Sequence, residues 1–230
     1  MNSPYGLPTE CRNWHLRSDS FFCSLSRESL ESFNHIKHST VFPEGTAIFV
    51  QGQTPRGIFL LCQGQAKLST TSHDGKTLIL RIAKPGEVLG LHAIVTGKPY
   101  ELTAETMQPS QLTFVDGRDF LQFLKEHGGA CLRAAQHISR VCHYAYDVVR
   151  SIGLSNSVSG RVAKVLLESA TDGRLTNGAV RATLSLTHED IAQLMGTTRE
   201  TITRKLSQFR KKDIVELKWL HPGHSQQVCV

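Results

Sequence analysis

Glycine interrupts the segment from residue 41 to residue 116 at positions 45, 52, 57, 64, 75, 86, 90 and 97, so the chain there must turn every few residues. Between the glycines lie VFPEGTAIFVQGQ, RGIFLLCQGQAKLST, HDGKTLILRIAKPGEVLG and LTAETMQPSQLTFVDG, whose β-branched and aromatic residues suit a pleated, half-buried surface. Asp74-Gly75 between two such runs is a hairpin signal, and Pro43-Glu44-Gly45 and Lys84-Pro85-Gly86 read as turns. The economical fold is an antiparallel β-roll, a double-stranded β-helix of about eight strands.

After Gly128-Gly129 the hydrophobic period becomes helical. In ACLRAAQHISRVCHYAYDVVRSIGL, Leu132, Ala135, Ile138, Cys142, Ala145 and Val149 recur at three and four, which makes one stripe on a long helix. Such a seam packs either on the roll or on a second copy of itself, and a symmetric dimer is the expectation.

Farther on, LTHEDIAQLM and GTTRETITRKLSQF share the grammar of a short capped helix. In the first, Thr187 is the predicted N-cap, Asp190 sits in the first turn, and Ile191, Leu194 and Met195 fall at i, i+3 and i+4. Ala192 is small enough to let a second helix approach. In the second, Gly196 supplies the turn, Thr197 is the predicted N-cap with Glu200 completing a capping box, and Ile202, Leu206 and Phe209 form the stripe for the core. Helix, tight turn, helix is the helix-turn-helix arrangement, in which the second helix lies in the major groove of DNA.

The other face of that second helix carries Arg199, Glu200, Thr203 and Arg204. Guanidinium forks match the O6/N7 pair of guanine and a carboxylate accepts from the N4 amino group of cytosine, which assigns Arg199, Arg204 and Glu200 to base edges. Thr187, Thr198 and Thr203 are expected at phosphates, and His188 and Lys205 complete the predicted DNA-binding set. Residues 199–212 hold six basic side chains against one acid, Glu200, a balance suited to neutralising phosphate. GRVAKVLLESA, 160–170, opens this domain, and IVELKWLHPGHSQQVCV, 214–230, reads as a closing hairpin, which makes it a winged helix-turn-helix.

The charge of the chain follows the same division. Of a net +6, residues 156–230 contribute 11 Lys and Arg against 7 Asp and Glu, and the remaining two thirds of the chain contribute 15 against 13. No apolar stretch approaches the roughly 18 residues of a membrane span, and MNSPYGLPTECRNW lacks the charged and apolar regions of a secretion signal, so a cytoplasmic location is expected. The six cysteines, at 11, 23, 62, 131, 142 and 229, are scattered, and most are expected as free thiols or small core residues.

His35 with His38, and His221 with His224, are pairs without a third ligand, so no metal site is expected. His73 and His92 stand alone where a metal-binding β-barrel enzyme would show H-x-H, and no nucleophile elbow occurs. The chain is not expected to be an enzyme.

Roll, long helix and winged domain in this order, with FPEGTAIFVQGQ, IFLLCQGQAKL, DGKTLILRIAKPGEVLG and TRETITRKLSQF, resemble the cyclic-AMP receptor/FNR superfamily of bacterial transcription regulators over residues 25 to 230. The resemblance implies an α+β chain with a cyclic-nucleotide-binding-like roll. Its expected parts are an arm at 1–24, an effector domain at 25–128, a dimerisation helix at 129–155 and a winged domain at 156–230. It also implies a homodimer on a palindrome, with Arg199, Glu200 and Arg204 reading a TGTGA-like half-site and RNA polymerase as a partner.

The departures concern the signal. Cyclic-nucleotide binders of the family hold the phosphate with a G-E-[LI] turn and, about ten residues later, an Arg followed by Ser or Thr; here the turn is Gly90-Leu91-His92 and the Arg position falls at or beside Glu101, next to Leu102. A carboxylate there repels phosphate, with no other cation expected nearby, so no cyclic-AMP response is expected. Iron-sulfur members carry an arm with a cysteine cluster; this arm offers only Cys11 and Cys23, and Leu112 stands about where the roll cysteine belongs, so no cluster is expected. Two alternatives stand beside a ligand-gated regulator: a redox or iron-sulfur sensor using Cys11 and Cys23, and a dimeric interaction module with incidental DNA affinity.

Overall fold

The structure is a computed structural model that describes residues 21, 25–154, 157–171, 174–176, 179–184, 186–212, 216–221 and 225–229. It divides into two compact units, one drawn from residues 1–70 and 80–145, the other from residues 71–79 and 146–230.

The first unit opens with helix α1 (Arg27–Ile36), whose N-cap Ser26 accepts a hydrogen bond from the Ser29 amide. Eight strands follow: β1 (Lys37–Phe42), β2 (Ala47–Phe49), β3 (Gly57–Gln63), β4 (Ala66–Thr71), β5 (Thr77–Ala83), β6 (Val88–Leu89) and, after the short helix α2 (Leu91–Thr96), β7 (Thr103–Thr106) and β8 (Ser110–Asp116). They form two antiparallel sheets, in the orders β1-β8-β3-β6 and β2-β7-β4-β5, which is the expected roll. The predicted turn at Asp74-Gly75 joins β4 to β5, and Gly45, Gly75 and Gly86 all take positive φ.

Strand β3 explains why IFLLC shows no polar alternation. Ile58 and Leu60 point to one cluster with Val115, while Leu61 on the opposite face joins Phe49, Leu68, Leu89 and Leu112 in the interior of the roll. The outer cluster is capped by α1 and by α3 (Gly117–Glu126), with Phe33 and Phe123 tilted against one another at 5.6 Å. A strand covered on both sides reads as a continuous apolar run.

Helices α1, α2 and α3 were not anticipated within 25–128. α3 is in fact legible, since Asp116 caps it and Phe120, Phe123 and Leu124 bury one face at i, i+3 and i+4. α2 fits between two glycines, Gly90 and Gly97, both left-handed.

Helix α4 (Gly128–Leu154) buries Ala130, Ala134 and His137 against the roll. The predicted seam lies on other faces: Leu132, Ala135, Cys142, Ala145 and Val149 are exposed in the single chain, and only Ile138 is half-buried. A small-residue face lets the helix approach the roll closely while the larger apolar residues stay outside.

The second unit contains α5 (Val158–Thr171), β9 (Arg174–Thr176), β10 (Ala179–Leu184), α6 (His188–Met195), α7 (Arg199–Lys211), β11 (Glu216–His221) and β12 (Ser225–Cys229). The closing hairpin β11-β12 is present, and β12 pairs onward with β10 in a sheet of order β11-β12-β10-β9; the strands before α6 were not foreseen. Among the described residues no helix is long and apolar enough to cross a membrane.

Candidate nucleic-acid interface and ligand cavity

The helix pair is held by capping at three points. Thr187 caps α6 with a full capping box: its Oγ1 accepts from the Asp190 amide, and Asp190 Oδ2 accepts from the Thr187 amide at 2.9 Å. Gly196 then ends α6 at φ 61°, a left-handed angle at which a Cβ is strained. From α5, Arg161 Nη2 donates to the Met195 carbonyl at 3.0 Å and satisfies one of the open acceptors at the end of α6.

The cap of α7 corrects the expectation. Thr198, not Thr197, is the N-cap, accepting from the Thr201 amide, so Glu200 is the second helical residue and no reciprocal box forms. Hydrogen bonds from its own amide and from Thr198 hold the Glu200 carboxyl below the usual carboxylate range. It is therefore an acceptor only, as a contact to a cytosine amino group requires.

Ile191, Ala192, Met195, Ile202 and Leu206 are buried between the helices and α5, where Val162 and Leu166 are also buried. Phe209 and Leu194 are half-buried. On the opposite side Arg199, Glu200, Thr203, Arg204, Ser207, Gln208 and Lys211 line one open face. Lys205 is not on it; about 100° farther round the helix than Arg204, it is half-buried toward the side of Phe209.

The threonines are less available to phosphate than expected. A hydroxyl has one proton: Thr187 gives it to Asp190 Oδ2 at 2.7 Å, and Thr203 gives it to the Arg199 carbonyl at 3.0 Å. His188 Nδ1 then donates to Thr203 Oγ1 at 2.9 Å, and partial burial together with the Arg199 charge lowers the His188 pKa. The His188–Thr203 bond ties the start of α6 to α7, while the two threonine hydroxyl bonds stay within their own helices.

The roll encloses the other candidate site. Gly90, Leu91, Glu101 and Leu102 do come together, on the wall of a cavity of about 450 Å³ that also involves Phe49, Leu68, Leu80, Val88, His137, Ile138, Val141, Cys142 and Ala145. Gly90 has φ 79°, and a Cβ there would lie 2.8 Å from the Tyr100 ring, which stacks on Phe49 at 4.1 Å and donates to the Gly57 carbonyl at 2.8 Å. Glu101 accepts from His92 Nδ1. Arg81, which sequence reasoning missed, also lines the cavity, so a cation is nearby after all; its Nη1 is held by Glu87 Oε2.

His137 was missed too, since a lone polar residue on a helix reads as solvated. It is 5% exposed and its Nε2 donates to the Val88 carbonyl at 2.9 Å. Desolvation pushes its pKa down to about 4, with Arg81 and Arg140 adding to the effect and Glu87 opposing it.

Cys131 and Cys142 are free thiols and Cys62 on β3 is in a disulfide; Cys11 and Cys23 lie outside the described residues. Among the described residues no group of three or more His, Cys, Asp and Glu side chains is placed to hold a metal ion.

Comparison with known proteins matches both regions. Residues 39–127 fit the cyclic nucleotide-binding domain and residues 160–221 the Crp-like helix-turn-helix domain. The chain is 29% identical over 182 residues to the CRP-like cAMP-activated global transcriptional regulator of Mycobacterium tuberculosis, covering 77% of this chain and 79% of that one. It is 25% identical to the global nitrogen regulator of Synechocystis, over 76% and 79% of the two chains. Among solved structures, the c-di-GMP responsive global regulator CLP of Xanthomonas campestris shares the fold with a TM-score of 0.74 at 17% identity, over 84% of this chain and 96% of that one.

Proposed function

The chain belongs to the cyclic-AMP receptor/FNR superfamily of transcription regulators, and from that premise we propose that it is a cytoplasmic homodimer that binds a palindromic DNA site with TGTGA-like half-sites. The observation that carries the proposal is the face of α7, where Arg199, Glu200 and Arg204 stand exposed on a helix braced from beneath by α5 and α6. Arg199 and Arg204 take guanines and Glu200 a cytosine, while Lys211, Arg210 and Lys212 serve the phosphates. The exposed stripe of α4 supplies the dimer contact, which sets two reading helices about one DNA turn apart. At promoters, RNA polymerase is the partner.

Binding to the selected site, titrated with Arg199→Ala and Arg204→Ala, tests the assignment. Each variant should lose about 1–3 kcal/mol at one base pair and relax the sequence preference there. Wild-type affinity in both would remove α7 from the interface.

Cyclic AMP is not the signal in this reading, because Glu101 stands where a phosphate would need a cation and Arg81 is held by Glu87. The disulfide at Cys62 favours a second reading, in which thiol oxidation gates DNA binding. If so, a reductant and Cys62→Ser should change site affinity in the same direction.

A further inference from the structure

Resting on the reading of the roll as the sensing domain, we propose that its cavity binds an uncharged, largely apolar small molecule that is anchored by donating one hydrogen bond to His137. The volume of about 450 Å³ lies within the range of small-molecule sites. Its walls are mostly hydrocarbon: Phe49, Leu68, Leu80, Leu89 and Leu102 from the roll, with Ile138 and Val141 from α4.

The charged groups at the wall are already answered. Arg81 is bound to Glu87, whose other oxygen accepts from the Lys84 amide, and His92 donates to Glu101. An anionic ligand would share Arg81 with Glu87 and meet the Glu101 carboxylate; a neutral one need disturb neither pair.

Among these polar side chains, the deeply buried His137 carries the acceptor proposed for recognition. A carbonyl only accepts, so the proton of neutral His137 must sit on Nε2, where it serves Val88, and Nδ1 keeps a lone pair that no described residue engages. Burial keeps the ring neutral near pH 7, which preserves that acceptor. A phenol, alcohol or amine N–H carried on an apolar frame fits both features. Because Cys142 and Ala145 belong both to this wall and to the stripe proposed for the dimer, occupancy bears directly on the helix that pairs the chains.

The test is fluorescence titration of the full chain, without DNA, using N-phenyl-1-naphthylamine, an uncharged arylamine with a single N–H donor. Saturable binding of one probe per chain is expected, undisturbed by a hundredfold excess of cyclic AMP. Leu102→Trp, which adds bulk to the cavity wall, should weaken binding at least tenfold, and His137→Leu about fivefold. Far-UV circular dichroism and melting confirm that each variant folds; should Leu102→Trp not fold, Leu68→Phe replaces it. Absence of saturable binding, or displacement by cyclic AMP, overturns the proposal. Binding unchanged by the bulkier wall residue overturns the site, and binding unchanged by His137→Leu overturns the anchor. Since no DNA enters the assay, these failures leave the proposed DNA reading standing.

Discussion

Acidification should destabilise the roll through His137. Its pKa is about 6.5 in an unfolded chain and about 4 in the fold, so between those values the unfolded state binds the extra proton and stability is lost as pH is lowered. The full effect of the shift, reached below pH 4, is about 3 kcal/mol; at pH 5 about 2 kcal/mol of it has been lost relative to pH 7. His137→Leu keeps the apolar volume and deletes the proton site. Urea unfolding of the roll, followed by circular dichroism at pH 7 and pH 5, should therefore show the wild type losing about 2 kcal/mol more than the variant over that interval. Arg81, Glu87 and Arg140 stay in both proteins, so the comparison isolates the change at His137. Equal losses would mean that His137 is hydrated or charged in the fold and would also remove the acceptor proposed for the cavity.

Three further outcomes follow from single groups. Gly196→Ala places a Cβ at φ 61° and should destabilise the helix pair by about 1 kcal/mol in urea unfolding, with no change if the turn can relax to a right-handed conformation. Isothermal calorimetry with cyclic AMP should give no heat of binding; micromolar affinity would show that Arg81 leaves Glu87 to serve a phosphate. Cys62→Ser should abolish any difference in DNA affinity between oxidised and reduced protein, measured by fluorescence anisotropy, and a difference that persists would place redox sensing elsewhere.

The helix pair was legible because its signals are local. Thr187, Asp190 and Gly196 sit within ten residues of one another and specify cap, box and turn with no help from the rest of the chain. Even there, GTTRE offers two threonines in succession, and only the backbone angles choose Thr198 over Thr197. The roll was legible as a roll, but not the pairing of β1 with β8, which joins Phe42 to Ser110 across all of β2 to β7 and which no local pattern specifies. Helices α1 and α3 were overlooked because they flank the glycine-spaced run of 41–116 that carried the reading of the roll, although Ser26 and Asp116 mark their starts.

The cavity was the least legible part. Gly90, Leu91, Glu101 and Leu102 could be placed by resemblance alone, whereas Arg81 and His137 belong to it through tertiary packing of β5 and α4. On α4 the larger apolar residues mark the exposed stripe, and the face against the roll is made of Ala130, Ala134 and His137, residues that carry almost no hydrophobic signal. Burial of a histidine is a property of its surroundings, and a one-dimensional pattern cannot report it.

The central claim is sequence-specific recognition by a dimer, and selection of bound duplexes from a random DNA library by the purified protein tests it most directly. Enrichment of a two-fold symmetric motif, with TGTGA-like halves centred about one helical turn apart, is the result expected. Retention of DNA without any enriched sequence, at an affinity set by salt alone, would contradict it and leave the basic helix face as a non-specific surface.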